Sequence, residues 1–231
     1  MAQSQRSHVA YSPVLVLLFT FYHLLLTFFM KIGPRYKKAR RLGAGVFDKT
    51  QTAKYSAWLS RKEKSGSKGR PKSEYATQLM EKQRARFTYG IPGRQFNNSV
   101  EAAIAQKETS AEEAFYQMLE TRLDNVIYRL GLANSRQFSR QIASHGHMNV
   151  NGGRVTIPSI CLKVGDKVSI RPASMKKKLF ELAAKKMTDA TIPAWIKANP
   201  EKGEAEIVAL PKFVPTENQF DATAIIEFYK R

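Results

Sequence analysis

The chain has 231 residues, 43% of them apolar, which is enough for a core and excludes a globally disordered polypeptide. It carries 38 Lys and Arg against 19 Asp and Glu, a net charge of +19, so the natural partner is polyanionic, either nucleic acid or an anionic membrane surface. A lone cysteine, Cys161, excludes an internal disulfide, and its place between Ile160 and Leu162 reads as a small buried hydrophobe.

The positive charge is spread out. Residues 31–86 hold 17 Lys or Arg against 4 acids, and residues 120–172 hold 8 against 3. A long basic segment followed by a compact basic region suits a protein that follows RNA backbone better than one with a single polybasic membrane anchor.

Residues 14–29 are apolar but shorter than the roughly 20 residues a spanning helix needs, and they include His23. Arg6 is the only cation before them, and Phe28-Phe29-Met30 offers no small-residue cleavage site, so the segment does not read as a signal peptide. The expectation is that Met30 is the native start and that residues 1–29 are an upstream extension, with an apolar leader as the alternative. From Lys31 to Lys72 the chain is rich in Gly, Ser, Lys and Arg with scattered Tyr36, Phe47, Tyr55 and Trp58; it is predicted to bury little by itself and to order against RNA. Gly43 and Gly45 lack the preceding strand and third glycine of a dinucleotide-binding loop.

Ser73 is positioned to cap a helix running to Tyr89 and closed by Gly90 and Pro92, with Lys82, Arg84 and Arg86 in its last turns. A shorter helix is predicted over about Val100 to Lys107. Ser110 and Glu113 form a capping box, after which Phe115, Leu119, Arg122, Val126 and Leu130 recur at helical spacing, predicting one helix as far as Gly131. Ser135 caps another, in which Phe138 and Ile142 face the core while Arg136 and Arg140 share a different face that reads as cationic and unpaired. Alternation in His147–Val150, an Asn151-Gly152 turn and Arg154–Ile157 predict a hairpin, and Gly165-Asp166 a turn before Lys167–Ile170. A last helix, about Met175 to Met187, would carry Lys176, Lys177, Lys178, Lys185 and Lys186. Arginines so placed make the 121–172 stretch read as an RNA-docking module.

The runs RLDNVIYRLGLANSRQFSRQ, HGHMNVNG, IPS and VGDKVSI between Arg122 and Ile170 resemble the signature of the bacterial S-four family of small-subunit ribosomal proteins and the RNA-binding domain named after it. The resemblance extends through KSEYATQLMEKQRARFTYGIPGRQF (Lys72 to Phe96), PAWI (Pro193 to Ile196) and IIEFYKR (Ile225 to Arg231), so that it spans about residues 30–231. It implies an α+β, mainly helical fold in which a basic helical rRNA-binding domain, residues 30–118 and 173–231, is interrupted by a small inserted α/β-hairpin module, residues 119–172. It further implies a structural constituent of the small ribosomal subunit, bound early to the 5′ domain of 16S rRNA, nucleating assembly of the body and contributing to translational accuracy. The partners implied are 16S rRNA, the neighbouring S-five protein and mRNA where it enters; the location is cytoplasmic, with no membrane, cofactor or catalysis. The residues matched to RNA contact are Lys37, Lys38, Arg40, Arg41, Lys72, Lys82, Arg84, Arg86, Arg94, Arg122, Arg129, Arg136, Arg140, His145, His147, Lys176, Lys177 and Lys178.

Many members of that family hold zinc in a four-cysteine N-terminal knuckle, yet no cysteine precedes Cys161, so no metal is expected. His145 and His147 alone make a weak site. Arg122-Leu123-Asp124 is similar to the tripeptide that carries the catalytic Asp of pseudouridine synthases containing this module. Asp124 falls inside the module's own first helix, and no segment remains for the large sheet domain of such enzymes, which makes it a structural carboxylate. A free RNA-binding regulator, or a ribosome-associated factor sharing only the module, is the other alternative.

Overall fold

Two capping residues bound the helix between Ser73 and Gly90 as the sequence predicts. The Ser73 hydroxyl accepts from the Ala76 amide at 3.3 Å, and Gly90 takes φ 65°, where a side chain would strain. In the computed structural model the described residues are 32–47, 50, 52–64, 73–214 and 218–230. The apolar run 14–29, Met30, Lys72 and Arg231 lie outside them.

Within the unit formed by residues 34–231 the helices are α1 (Arg35–Leu42), α2 (Ala53–Lys64), α3 (Glu74–Tyr89), α4 (Gly93–Ala105), α5 (Ala111–Glu120), α6 (Leu123–Arg129), α7 (Arg136–Ser144), α8 (Pro172–Met175), α9 (Ala183–Asp189) and α10 (Ala222–Lys230). The strands are β1 (Met148–Val150), β2 (Gly153–Val155), β3 (Lys167–Ile170), β4 (Ile196–Asn199) and β5 (Glu204–Ile207). They form one antiparallel sheet in the order β2-β1-β3-β5-β4. The fold is α+β and mainly helical.

The predicted hairpin is present. Asn151 at φ 50° and Gly152 at φ 81° form the two-residue turn between β1 and β2, both residues taking the left-handed values that such turns demand. Asn151 also donates to Asp166 at 2.8 Å and accepts from the Lys167 amide at 2.9 Å, so the two predicted turns brace each other.

Several expectations are corrected. The helix predicted from Ser110 to Gly131 is two helices, because Arg122 is extended at ψ 138° and bridges to Cys161. There the 158–162 segment takes over the backbone: Leu123 and Asp124 donate to the carbonyls of Ile160 and Pro158, and Leu162 donates to Thr121. The break turns the chain from one core to another. Phe115 and Leu119 pack with Tyr89, Ile91, Phe96, Val100, Phe220 and Ile225, whereas Leu123, Val126 and Ile127 pack with Ile142, Met148, Val168, Ile170 and Ile207. A helix kept straight would point one of those two apolar sets at water, at about 1.5–3 kcal/mol per large side chain.

The described residues between 32 and 64 bury more than predicted. Ala39, Leu42, Val46, Phe47 and Tyr55 are buried, the Phe47 ring meets Phe87 at 6.3 Å, and the Tyr55 hydroxyl donates to the Ala39 carbonyl at 2.9 Å. The helix expected at Val100 begins earlier, at Gly93, where Phe96 anchors it in the core. The helix expected over Met175–Met187 is interrupted by three-residue turns from Ser174 to Ala183, which bring Phe180 and Met187 into the core and leave three adjacent ammonium groups in water.

The strands β4 and β5 are not predicted from the sequence. Their pairing, Val168 opposite Ala205 and Ile196 opposite Ile207, supplies the hydrogen-bond partners that the second edge of β3 requires. Residues 180–207 consequently contribute to the core of the inserted module, whereas Phe213, Phe220 and the last helix join the helical core. Cys161 is exposed rather than buried, since Leu162 is the neighbour that faces the core and alternation turns Cys161 outward.

Candidate nucleic-acid interface

Three of the expected contact residues, Arg122, Arg129 and Arg140, are bound to buried carboxylates. Asp124 is buried and accepts from Arg122 at 3.0 and 2.9 Å and from Arg140 at 2.8 and 2.6 Å. Arg140 also donates to the backbone carbonyls of Tyr89, at 3.1 Å, and Gly90. Glu120, fully buried, accepts from Arg129 at 2.9 and 2.8 Å, from the Tyr89 hydroxyl at 2.6 Å and from Asn125 at 2.9 Å. Burial would raise the Glu120 pKa, but Arg129, then Arg136 and Tyr89, hold it below the usual carboxylate value. Burial and the Glu120 charge push the Tyr89 phenol well above its ordinary value.

The unpaired cationic face expected from Arg136 and Arg140 is therefore corrected. The two do share one side of α7, but that side meets α6 and the end of α3. Arg140 is buried in the Asp124 network. Arg136 donates to Asn125 at 2.8 Å, and its guanidinium lies 4.8 Å from the Tyr89 ring and 4.5 Å from the Tyr128 ring, leaving it half-buried between two aromatics. Sequence spacing identifies a shared face but not what packs against it. Phe138, expected in the core, packs at its margin, while Ile142 is buried.

A second group stays at the surface. His145 is exposed, the His147 Nδ1 lies 2.9 Å from the Ser174 hydroxyl, and the His147 ring meets His145 at 6.0 Å and Phe180 at 5.8 Å. Burial lowers the His147 pKa, and the charges of Lys177, His145, Arg171 and Arg154 lower it further. Arg154 reaches the His145 carbonyl at 3.4 Å and lies over Gly146, whose φ is 68°. Lys176, Lys177 and Lys178 are exposed beside this cluster. Among the described residues no set of three His, Cys, Asp or Glu is placed to hold a metal ion. Arg154 and Arg171 are not among the residues that the sequence singles out; the signal for Arg154 is its position on a turn-flanked polar strand, which exposes it.

A third group surrounds α1 and α3. Lys37, Arg40, Arg41 and, on α4, Arg94 are exposed. The Lys38 ammonium lies 4.2 Å from the Phe87 ring and the Arg86 guanidinium 4.9 Å from it. Lys82 lies 4.5 Å from Phe228 and 4.4 Å from Tyr229. Partial burial, then the Arg86 charge, lower the pKa of both lysines. Arg84 donates to the Leu42 carbonyl at 2.8 Å, closing the end of α1, and pairs with Glu81 at 2.6 Å. Lys72 lies outside the described residues. Gly43 caps α1 and so follows a helix rather than a strand.

Clustered cations on two parts of one basic α+β fold form the kind of surface that binds a nucleic-acid backbone. The Ribosomal protein S4/S9 N-terminal domain matches residues 30–120, and the S4 domain matches residues 121–168. Small ribosomal subunit protein uS4 of Christiangramia forsetii is 38% identical over 199 residues, covering 86% of this chain and 98% of the relative. The proteins of the same name from Roseiflexus sp. and Mycobacterium tuberculosis are 37% and 38% identical, with the same two coverages. The chain belongs to the S4 family of ribosomal proteins. No helix among the described residues is long and apolar enough to cross a membrane.

Proposed function

We propose that this chain is a structural constituent of the small ribosomal subunit that binds 16S rRNA through two cationic surfaces. One is the α1–α3 face with Lys37, Lys38, Arg40, Arg41, Lys82, Arg86 and Arg94. The other is the module face with His145, His147, Arg154, Arg171 and Lys176–Lys178. The observation that carries the reading is the extent of the family match, which continues through residues 30–120 well outside the RNA-binding module. A regulator sharing only the module would lack that part. Phosphate neutralisation supplies most of the affinity and RNA shape most of the selectivity.

Arg122, Arg129 and Arg140 contribute by holding the module's helices rather than by meeting phosphate. The Asp124 carboxylate, tied up by two guanidiniums, is a structural group and not a catalytic one, and the protein is not an enzyme. Early binding to the 5′ domain, a place beside S-five near the entering mRNA, an effect on decoding accuracy and a cytoplasmic location follow from the family. Binding of the purified chain to a transcript of the 16S 5′ domain, with a pseudouridylation assay on the same RNA, tests the reading. Salt-sensitive binding without isomerised uridine is expected; absence of binding, or turnover, overturns it.

A further inference from the structure

Beside the cationic helices lies a groove with an apolar floor. About 680 Å³ in volume, it is bounded by α1, α2 and α3, and its floor is made by Leu42, Leu79, Met80 and Phe87. Arg40, Arg41 and Lys62 stand on its rim. The Arg40 guanidinium lies 4.8 Å from the Trp58 ring and the Lys62 ammonium 5.5 Å from it, so one indole holds two cations in place. Among the described residues lining the groove no carboxylate occurs, and Gln83 supplies one amide with both a donor and an acceptor.

We propose that this groove takes the base of an unpaired RNA nucleotide, while its rim takes the flanking phosphates. The inference rests on the rRNA-binding reading and extends it from backbone contact to recognition of an unstacked base. An A-form duplex presents phosphates but keeps its bases stacked, so it reaches the rim and not the floor. An unpaired nucleotide satisfies both at once: its flat face covers apolar surface beside the Phe87 ring, its edge meets the Gln83 amide, and its phosphates meet a guanidinium whose planar fork suits them. The volume falls within the roughly 300–1,000 Å³ range of sites for molecules of nucleotide size.

The test uses the full chain and two short RNA hairpins, identical except that one carries a single bulged 2-aminopurine nucleotide. The bulged hairpin is expected to bind tighter by on the order of tenfold to a hundredfold, the equivalent of one stacked base, with a change in 2-aminopurine fluorescence. Ala76→Phe, which fills the groove from an α3 position, should abolish the preference while leaving affinity for the unbulged hairpin and its salt dependence unchanged. Gln83→Ala should reduce the preference without affecting the fold. Arg40→Ala with Arg41→Ala should weaken both hairpins and flatten the salt slope. Equal affinity of the unaltered chain for the two hairpins overturns the proposal, as does a bulge preference that survives Ala76→Phe. So would an acidic amphipathic peptide whose binding is lost in Ala76→Phe while RNA binding is not. If neither hairpin nor the 5′-domain transcript binds, the rRNA reading itself fails.

Discussion

Arg140 lies 2.6 Å from the Asp124 carboxylate with both side chains buried, and its remaining donors reach the carbonyls of Tyr89 and Gly90 at the end of α3. One guanidinium therefore ties the module to the helical core, and it satisfies the carbonyls that α3 leaves open at its C-terminus. Arg140→Ala should cost about 3–5 kcal/mol, because it strands part of a buried carboxylate. Urea unfolding checks this; a loss under about 1 kcal/mol, the size expected at an exposed helix position, would contradict it.

The salt dependence of RNA binding should follow the surface cations. Removing the cation from one phosphate flattens the slope of log K against log salt by about 0.7–0.9, so Arg154→Ala with Lys177→Ala should reduce it by roughly 1.4–1.8 with the fold intact. Arg122→Ala, by contrast, should lose binding only in proportion to loss of folded protein. Filter binding at several salt concentrations, with circular dichroism on each variant, separates the two behaviours.

His147 titrates below the usual imidazole value of about 6.5, because burial and then Lys177, His145, Arg171 and Arg154 disfavour its charged form. The unfolded chain therefore holds this proton more tightly than the folded one. This contribution to stability is complete above about pH 6.5 and is lost as pH falls from there through the folded pKa. His147→Gln should remove that part of the acid sensitivity, measured as the urea midpoint between about pH 7.5 and pH 5. Bound phosphates neutralise the surrounding charge, so the imidazole midpoint followed by NMR should move upward in the RNA complex; a midpoint that stays put would remove His147 from the interface.

Gly146 sits at φ 68°, and a Cβ there would collide with the Arg154 guanidinium. Gly146→Ala should cost about 1–2 kcal/mol from the left-handed backbone alone. It should also weaken RNA binding by displacing Arg154, whereas Gly152→Ala, with open space around its Cβ, should cost stability without the binding defect. Urea unfolding and filter binding on the two variants check the pair.

Features governed by neighbouring residues were legible in the sequence. Ser73, Ser110 and Ser135 each cap the helix they precede, and Asn151-Gly152 makes its turn, because these arrangements are set by side chains within three or four positions. The basic balance is equally local, and so is the amphipathic pattern that puts Ile142 in the core. The partners of Arg136 and Arg140 are not, since the nearest of them, Tyr128, lies eight positions away and Gly90 lies fifty. Nor is the break at Arg122, where helical spacing continues through a point that the distant 158–162 segment pulls into an extended bridge. Glu204–Ile207 alternates in burial, yet the place of β4 and β5 follows from the open edge of β3, which lies far from them in sequence. Sequence alone determined which residues are charged and where the serine-capped helices begin. Only the tertiary packing decided which cations face water, because a guanidinium goes inward wherever a buried carboxylate and unsatisfied carbonyls offset its desolvation.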